Sequence, residues 1–318
     1  MHFLVDLLGL GDVNIHQQIV NAMWRGSLYS LFALGYTLIF SILGILNLSH
    51  SAIFMWGAMI GMTSVCGESV FNGGSCVELH GSIWLSIPAA MIGGGIIAIL
   101  VDRAAFHPLR KRNAPRLAQL ISSIGASIIL INLAQLQFGA NPKVFPPKSL
   151  PSKPVENLPY GVIVTQLQLL VFIIALVLMV ILGYIVARTT LGKQMRTVAF
   201  SDQVSGLLGI NVDNVYFISF FASGALAGAG GALYALAFNA SPFMGNTLAL
   251  KGLTVIVLGG LGSIRGAVVG GFLVAILEVY AIAVGYSELQ EMFVFTIFFL
   301  IVLIRPQGLL GHPIEDRA

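Results

Sequence analysis

Few residues in this 318-residue chain are of types that do chemistry, and most of those are set among apolar neighbours. Glu278 falls about two-thirds along the apolar run 266–284, where an ionised carboxylate is costly and is a functional candidate by default. It could face an aqueous path, carry a proton or pair with a neighbour; a protonated or hydrogen-bonded structural glutamate fits equally well. Asn47, Ser49 and His50 form a polar interruption in a second apolar region, where His50 either lines a path or simply closes the break with a hydrogen bond. Gly259, Gly260, Gly262 and Ser263 form another interruption. Cys66 and Cys76 are too few for a tetrahedral zinc site, and His2, His16, His80, His107 and His312 are scattered, so no metal is expected. There is no G-x-x-x-x-G-K-[ST] to cradle ATP, and the glycines of 259–266 do not fit G-x-G-x-x-G. Ser223, in Phe221-Ala222-Ser223-Gly224, is at best a fragment of a hydrolase motif, and helix packing explains it more simply. No catalytic residue and no cofactor are expected on this chain.

The elements that position these residues follow from composition. Charged residues make up 9% of the chain against about a quarter in a soluble domain, while 57% are apolar. Mean hydropathy is +0.92. Disorder, nucleic-acid binding and an ordinary soluble enzyme are excluded, leaving an all-α polytopic membrane protein. Lipid offers no partner for an unpaired backbone group, so long apolar runs are helices. Candidate stretches are 19–46, 51–65, 83–101, 117–138, 163–187, 215–238, 252–262, 266–284 and 292–304, giving about eight membrane segments if the short ones belong to broken or re-entrant pairs. Met1 to Gly11 lacks a basic region and a small-residue cleavage site, so no removable signal peptide is expected.

Basic residues set the orientation. Arg103, Arg110, Lys111, Arg112 and Arg116 fall in 102–116, Arg188, Lys193 and Arg196 in 188–214, and Arg305 and Arg317 in the tail, all assigned to the cytoplasmic side. The links 66–82 and 285–291 hold no Lys or Arg but do hold Glu68, Glu78, Glu288 and Glu291. The proline-rich link 139–162 dissents with Lys143, Lys148 and Lys153. Alternation places the N-terminus, with Asp6 and Asp12, outside and the C-terminus inside. An oxidising exterior would permit a Cys66–Cys76 disulfide; two unpaired thiols near an interface is the other reading. Arg25, Lys251 and Arg265 lie near the ends of apolar segments and are read as snorkelling.

Stretches 51–65 and 252–262 reach only roughly 22 Å and 16 Å as helix, too short to cross. Each adjoins an interruption flanked by a longer run. Paired interruptions in the two halves of a chain point to a solute path; two plain hairpins turning at the cytoplasmic surface are the alternative. The glycine- and alanine-rich run 222–232 reads as close helix packing. In 188–214, Met195, Val198 and Ala199, then Val204, Leu207 and Leu208, recur at i, i+3 and i+4, predicting two short helices. Ser201 or Asp202 is the N-cap between them and Gly209 a stop. Such an element either docks another protein or lies on the membrane surface.

Four segments in order resemble the branched-chain amino acid ABC permeases: Tyr29 to Thr37 running on to Asn47-Leu48-Ser49-His50, Arg196 to Asp202 running on to Leu207-Leu208-Gly209-Ile210, Val257 to Ser263, and Arg305 to Gly311. Ser51, Gln203-Val204-Ser205 and Arg265 depart from the family pattern of Gly, Glu-Ala-Ala and Pro. The resemblance implies a permease domain over 19–311 with an ATPase-coupling loop in 188–214, an external segment 1–18 and a cytoplasmic tail 312–318. The coupling residues would be Arg196, Ala199, Ser201, Asp202, Leu207 and Gly209; the path would run past Asn47, Ser49, His50, Gly259, Gly260, Gly262, Ser263 and Glu278. It also implies a bacterial plasma (inner) membrane location, a second similar permease, two cytoplasmic ATP-binding subunits that hold ATP and magnesium, and an external substrate-binding protein. An ion-coupled carrier using Glu278 without ATPases, or the same importer type for urea or short amides, are the competing expectations.

Overall fold

The computed structural model describes residues 14–311 apart from 68–69, 71–72, 75, 77, 147–149, 152 and 156–160. Residues 1–13, Glu68, Lys148 and the tail 312–318 with Arg317 therefore lie outside the described residues. Among the described residues every named element is helical, and seven helices are long and apolar enough to cross a membrane.

In chain order, α1 is Ile15–Leu43 and α2 His50–Cys66. Helix α3, Ser86–Val101, continues through a π-helical turn at Asp102–Phe106 to Lys111. Helices α4 (Arg116–Phe138) and α5 (Gln166–Arg188) follow. Short helices α6 (Thr190–Phe200) and α7 (Asp202–Leu207) lead into α8 (Val212–Ala237). The chain ends in α9 (Met244–Gly259), α10 (Ile264–Ala283) and α11 (Gln290–Ile304).

Three boundaries differ from the sequence reading. Helix α1 starts at residue 15, inside the segment assigned to 1–18. Helix α3 runs through the first ten residues of the link 102–116, because Asp102 is neutralised by Arg110 at 2.7 Å and no longer opposes burial. Helix α9 begins at 244, not 252, since Lys251 is paired within the bundle rather than snorkelling at an end.

Helices α1 and α8 form the centre, with 83% and 78% of their apolar windows buried, whereas α4 and α11 are 11% and 6% buried and face outward. Lipid gives helices no hydrophobic reason to associate, so backbone proximity has to hold them. At Gly228 of α8 an added Cβ would run into the Ala90 carbonyl of α3, and a Cβ on Gly57 of α2 would meet Gly228 itself.

Contacts between loops fix which ends share a face. Lys143 donates from its backbone to Ala240 at 2.7 Å, and its ammonium donates to the Gly74 carbonyl. Gln17 pairs with the backbone of Ile163. Cys66 and Cys76 form a disulfide with Cα atoms 5.4 Å apart. The start of α1 and the links after α2, α4 and α8 thus gather on one face. Lys143, which dissented from the charge pattern, is buried there, and burial pulls its amine below the usual lysine range. The opposite face collects the links after α3, α5, α9 and α11 and most of the arginines.

Candidate functional site

The first interruption is held by side chains. Gly44, in a left-handed conformation at φ 65°, ends α1. The Asn47 Oδ1 then accepts from Ser49 N at 3.1 Å and Ser49 Oγ at 2.5 Å, making a turn that launches α2. Leu48 N donates to Ser123 Oγ of α4 at 3.3 Å. His50 Nε2 lies 3.2 Å from the Phe32 carbonyl, which can only accept, so Nε2 carries a proton. Its Nδ1 lies 3.3 Å from Ser223 Oγ, which donates to the Gly35 carbonyl at 2.7 Å. His50 therefore ties α1, α2 and α8 together. Gly35 makes room, since a Cβ there would sit 2.8 Å from the imidazole. The His50–Ser223 contact has the reach of a nucleophile and base, but Ser223 is buried and its proton is engaged by Gly35. Gly35 sits eight residues from the end of α1, so His50 enters the bundle roughly 12 Å from that end. Asn47 Nδ2, Tyr36 Oη and Thr37 Oγ1 are buried without a hydrogen-bond partner among the described residues.

The second interruption is held by backbone. Gly260 (φ 108°) and Gly262 (φ 80°) take conformations that other residues avoid, and Ser263 caps α10 by accepting from Gly266 N at 3.1 Å. Carbonyls at a helix end need donors. Leu309 N donates to Leu258 O at 2.8 Å and Leu310 N to Gly259 O at 2.9 Å. The C-terminal segment 305–311 thus latches onto the break. The resemblance covers these two segments separately and says nothing of their contact; the clue to it is Gly308, too close to Val257 and Gly260 for a side chain. Of the proposed path residues, Gly259 and Gly260 lie behind this latch.

Gly262 and Ser263 instead line a cavity of about 320 Å³ with Leu38, Ser41, Met195, Arg196, Ala199 and Arg265. Two residues of the expected path and two of the expected coupling segment therefore meet at one place. Gly262 sits beside Phe40 and Ser41, within three residues of the end of α1, much nearer that face than His50. The membrane-depth reading fits the first break and the surface-turn reading the second.

Ser201 closes α6 and caps α7, accepting from Val204 N at 3.3 Å, and Gly209 has φ 78° just beyond α7. Asp202 accepts from Tyr216 Oη at 3.0 Å, and the Arg110 guanidinium stands 4.0 Å from the Tyr216 ring centre. A polar chain from Asp202 through Tyr216 and Arg110 to Asp102 docks the segment on α8 and α3. Arg196 donates to the Val186 carbonyl at the end of α5. Phe200, Leu207 and Leu208 are 77%, 88% and 67% exposed, so this short stretch carries a bare apolar edge.

The remaining candidate, Glu278, is paired. Its Oε1 lies 3.0 Å from Lys251 Nζ, and its Oε2 accepts from Tyr29 Oη at 2.6 Å. It belongs to the half of the bundle near the disulfide, away from both interruptions.

Residues 18–303 match the family described as the branched-chain amino acid transport system permease component. The chain belongs to that family. It is 33% identical over 305 residues to the high-affinity branched-chain amino acid transport system permease protein BraD of Pseudomonas aeruginosa, covering 95% of this chain and 97% of the relative. LivH of Escherichia coli K12, of the same description, is 30% identical over 310 residues with the same coverage. The guanosine ABC transporter permease protein NupQ of Bacillus subtilis is 23% identical, with 86% of each chain covered. An inward-facing ABC transporter chain of metal-chelate type superposes with a TM-score of 0.48 at 16% identity, over 90% of this chain and 86% of that one. The protein is a multi-pass membrane permease subunit of the ABC class.

Proposed function

We propose that this chain forms the path of an ATP-driven importer for branched-chain or related neutral amino acids, in a bacterial inner membrane. Its partners are a second permease of the same fold, two cytoplasmic ATP-binding subunits that hold ATP and magnesium, and an external binding protein. The chain itself carries no catalysis. The disulfide face is external, with the N-terminus there, and the arginine-rich face is cytoplasmic, as expected from the preference of basic residues for that side.

The observation that carries this reading is the coupling segment. It pairs an apolar edge, Phe200, Leu207 and Leu208, with a polar docking chain, and it shares a cavity with the second interruption. The edge is the docking surface for an ATPase. ATP binding that favours one arrangement of this edge shifts the permease between two global states, because a ligand moves an equilibrium only by its differential affinity. The chain has no phosphate-binding loop of its own, so the energy has to arrive through such a contact. An ion-coupled carrier built on Glu278 is less well supported, because that carboxylate is already matched by Lys251 and Tyr29.

Solubilised full-length protein expressed with its neighbouring genes should bring down an ATPase pair, and uptake of labelled leucine should stop when those ATPases are deleted. Uptake that persists without them would end this reading. Ala199→Asp should abolish uptake while leaving substrate bound to the external protein; normal uptake in that variant would remove the coupling assignment.

A further inference from the structure

The Lys251–Glu278–Tyr29 group stands beside a cavity that the two interruptions do not use. About 190 Å³ of space opens between α9 and α11, lined by Asn246, Thr247, Leu250, Lys251, Glu291 and Phe295. A narrower recess bounded by Glu278, Gln290 and Val294 continues it. Glu278, five residues from the end of α10, and Glu291, the second residue of α11, lie toward the disulfide face, and Lys251 stands midway along α9.

The two ionic groups that line the main cavity have opposite sign and unequal freedom. Lys251 is held by Glu278 on one side and lies 5.5 Å from the Tyr29 ring centre. An ammonium has three donors, and Glu278 accepts from one of them. Glu291 is exposed, and among the described residues no ion pair engages it. A simple anion would meet Lys251 but be repelled by Glu291, and a simple cation the reverse. A molecule carrying both charges on neighbouring atoms satisfies both, and Leu250 and Phe295 offer apolar wall to whatever is attached. The volume suits a metabolite rather than a drug-sized ligand.

We propose that this cavity is a receiving site for a small zwitterion, an ammonium beside an acid group, presented by a free α-amino acid or by an ethanolamine phospholipid head group. Lys251 takes the acid group, Glu291 the ammonium, and Glu278 with Tyr29 holds Lys251 in position. The choice of amino acid probes rests on the importer reading; the site itself does not.

The test uses the full chain purified with its partner subunits, without the external binding protein, in nanodiscs of phosphatidylglycerol, which has no ammonium. Isothermal titration is run with L-leucine, L-isoleucine and L-valine. Each is paired with its acid-only and amine-only analogue, for leucine 4-methylpentanoate and 3-methylbutylamine. At least one amino acid should bind, with both of its analogues weaker by about tenfold or more, as expected for loss of a charge-assisted contact. Glu291→Gln should weaken the amino acid by a similar factor. The double variant Lys251→Met/Glu278→Gln, which leaves no unpaired buried charge, should do the same. Native mass spectrometry in ethanolamine-lipid nanodiscs forms the second arm. Lipid retained by the parent protein and lost in Glu291→Gln, with no amino acid binding, assigns the site to the head group. Amino acid binding indifferent to Glu291→Gln, or neither ligand held, overturns the proposal. ATP-dependent uptake in the absence of any such binding would leave the importer reading standing; failure to recover an ATPase would sink that reading alone.

Discussion

The two interruptions solve one problem, a broken helix in a lipid-embedded bundle, with different materials. The first uses side chains from three helices: Asn47 folds back on Ser49, Ser123 meets Leu48 N, and His50 reaches Phe32 and Ser223. The second uses mainly backbone, with Leu309 and Leu310 supplying donors to the end of α9 and Ser263 alone adding a side-chain cap. The first lies deep and closed. The second lies near the basic face and opens on a cavity shared with Arg196 and Ala199. Side-chain ties can be exchanged one at a time, and Tyr36, Thr37 and Asn47 each bury a polar group that has no partner among the described residues. A backbone latch has no such intermediate settings. On the proposed function, the first break would meet the solute and the second would relay force.

The largest effect should come from breaking the latch. Gly308 has φ 77°, and a Cβ there would lie 2.5 Å from the Val257 carbonyl. Gly308→Val should cost about 2–5 kcal/mol through strain and overpacking and eliminate uptake. Detergent thermal unfolding together with a transport assay checks this; wild-type values in both would make the latch dispensable. At the first break, His50→Phe keeps the ring but loses both nitrogens. It should cost about 0.5–1.5 kcal/mol by losing the hydrogen bond to the Phe32 carbonyl, which keeps its place in the α1 ladder, read by the same unfolding assay. An unchanged midpoint would mean that His50 ties nothing.

Much of this contrast was legible in the sequence, for physical reasons. Apolar length revealed the spans, because lipid forbids unpaired backbone. The two interruptions stood out because Asn, Ser and His, or closely spaced glycines, are expensive inside such runs. The stop at Gly209 and the cap at Ser201 followed from local hydrogen bonding within a few residues. What could not be read were partners distant in sequence. Glu278 was visible, but Lys251, 27 positions earlier, looked like an end residue, so α9 was begun eight residues late. Ser223 and His50 stand 173 positions apart, so nothing local ties them together in the sequence. The pairing of 308–311 with the second break depends on backbone groups, which every residue except proline possesses alike, so side-chain identity carried almost no trace of it.

Two smaller changes sharpen the comparison. Asn47→Leu should leave expression and folding nearly intact yet lower uptake about fivefold, a change of roughly 1 kcal/mol in the transport barrier. Equal uptake would make the buried amide a bystander and remove the reason for giving the deep break the solute. Tyr216→Phe deletes one hydroxyl between the coupling segment and α8, worth about 0.5–1.5 kcal/mol. It should raise the ATP hydrolysed per solute moved with little change in stability. An unaltered ratio would show that the polar chain from Asp202 to Asp102 only holds the segment in place.

The central claim is that the coupling segment acts on the second interruption through the cavity they share. Both cysteines of the chain are already in the disulfide, so introduced thiols can be labelled selectively. Spin labels at Ala199→Cys and Leu261→Cys, in the assembled transporter, report the distance across that cavity by pulsed electron resonance. The distance distribution should shift to a second population when a non-hydrolysable ATP analogue closes the ATPases, and return on its removal. A single distribution, identical with and without nucleotide in a complex that still transports, would contradict the relay.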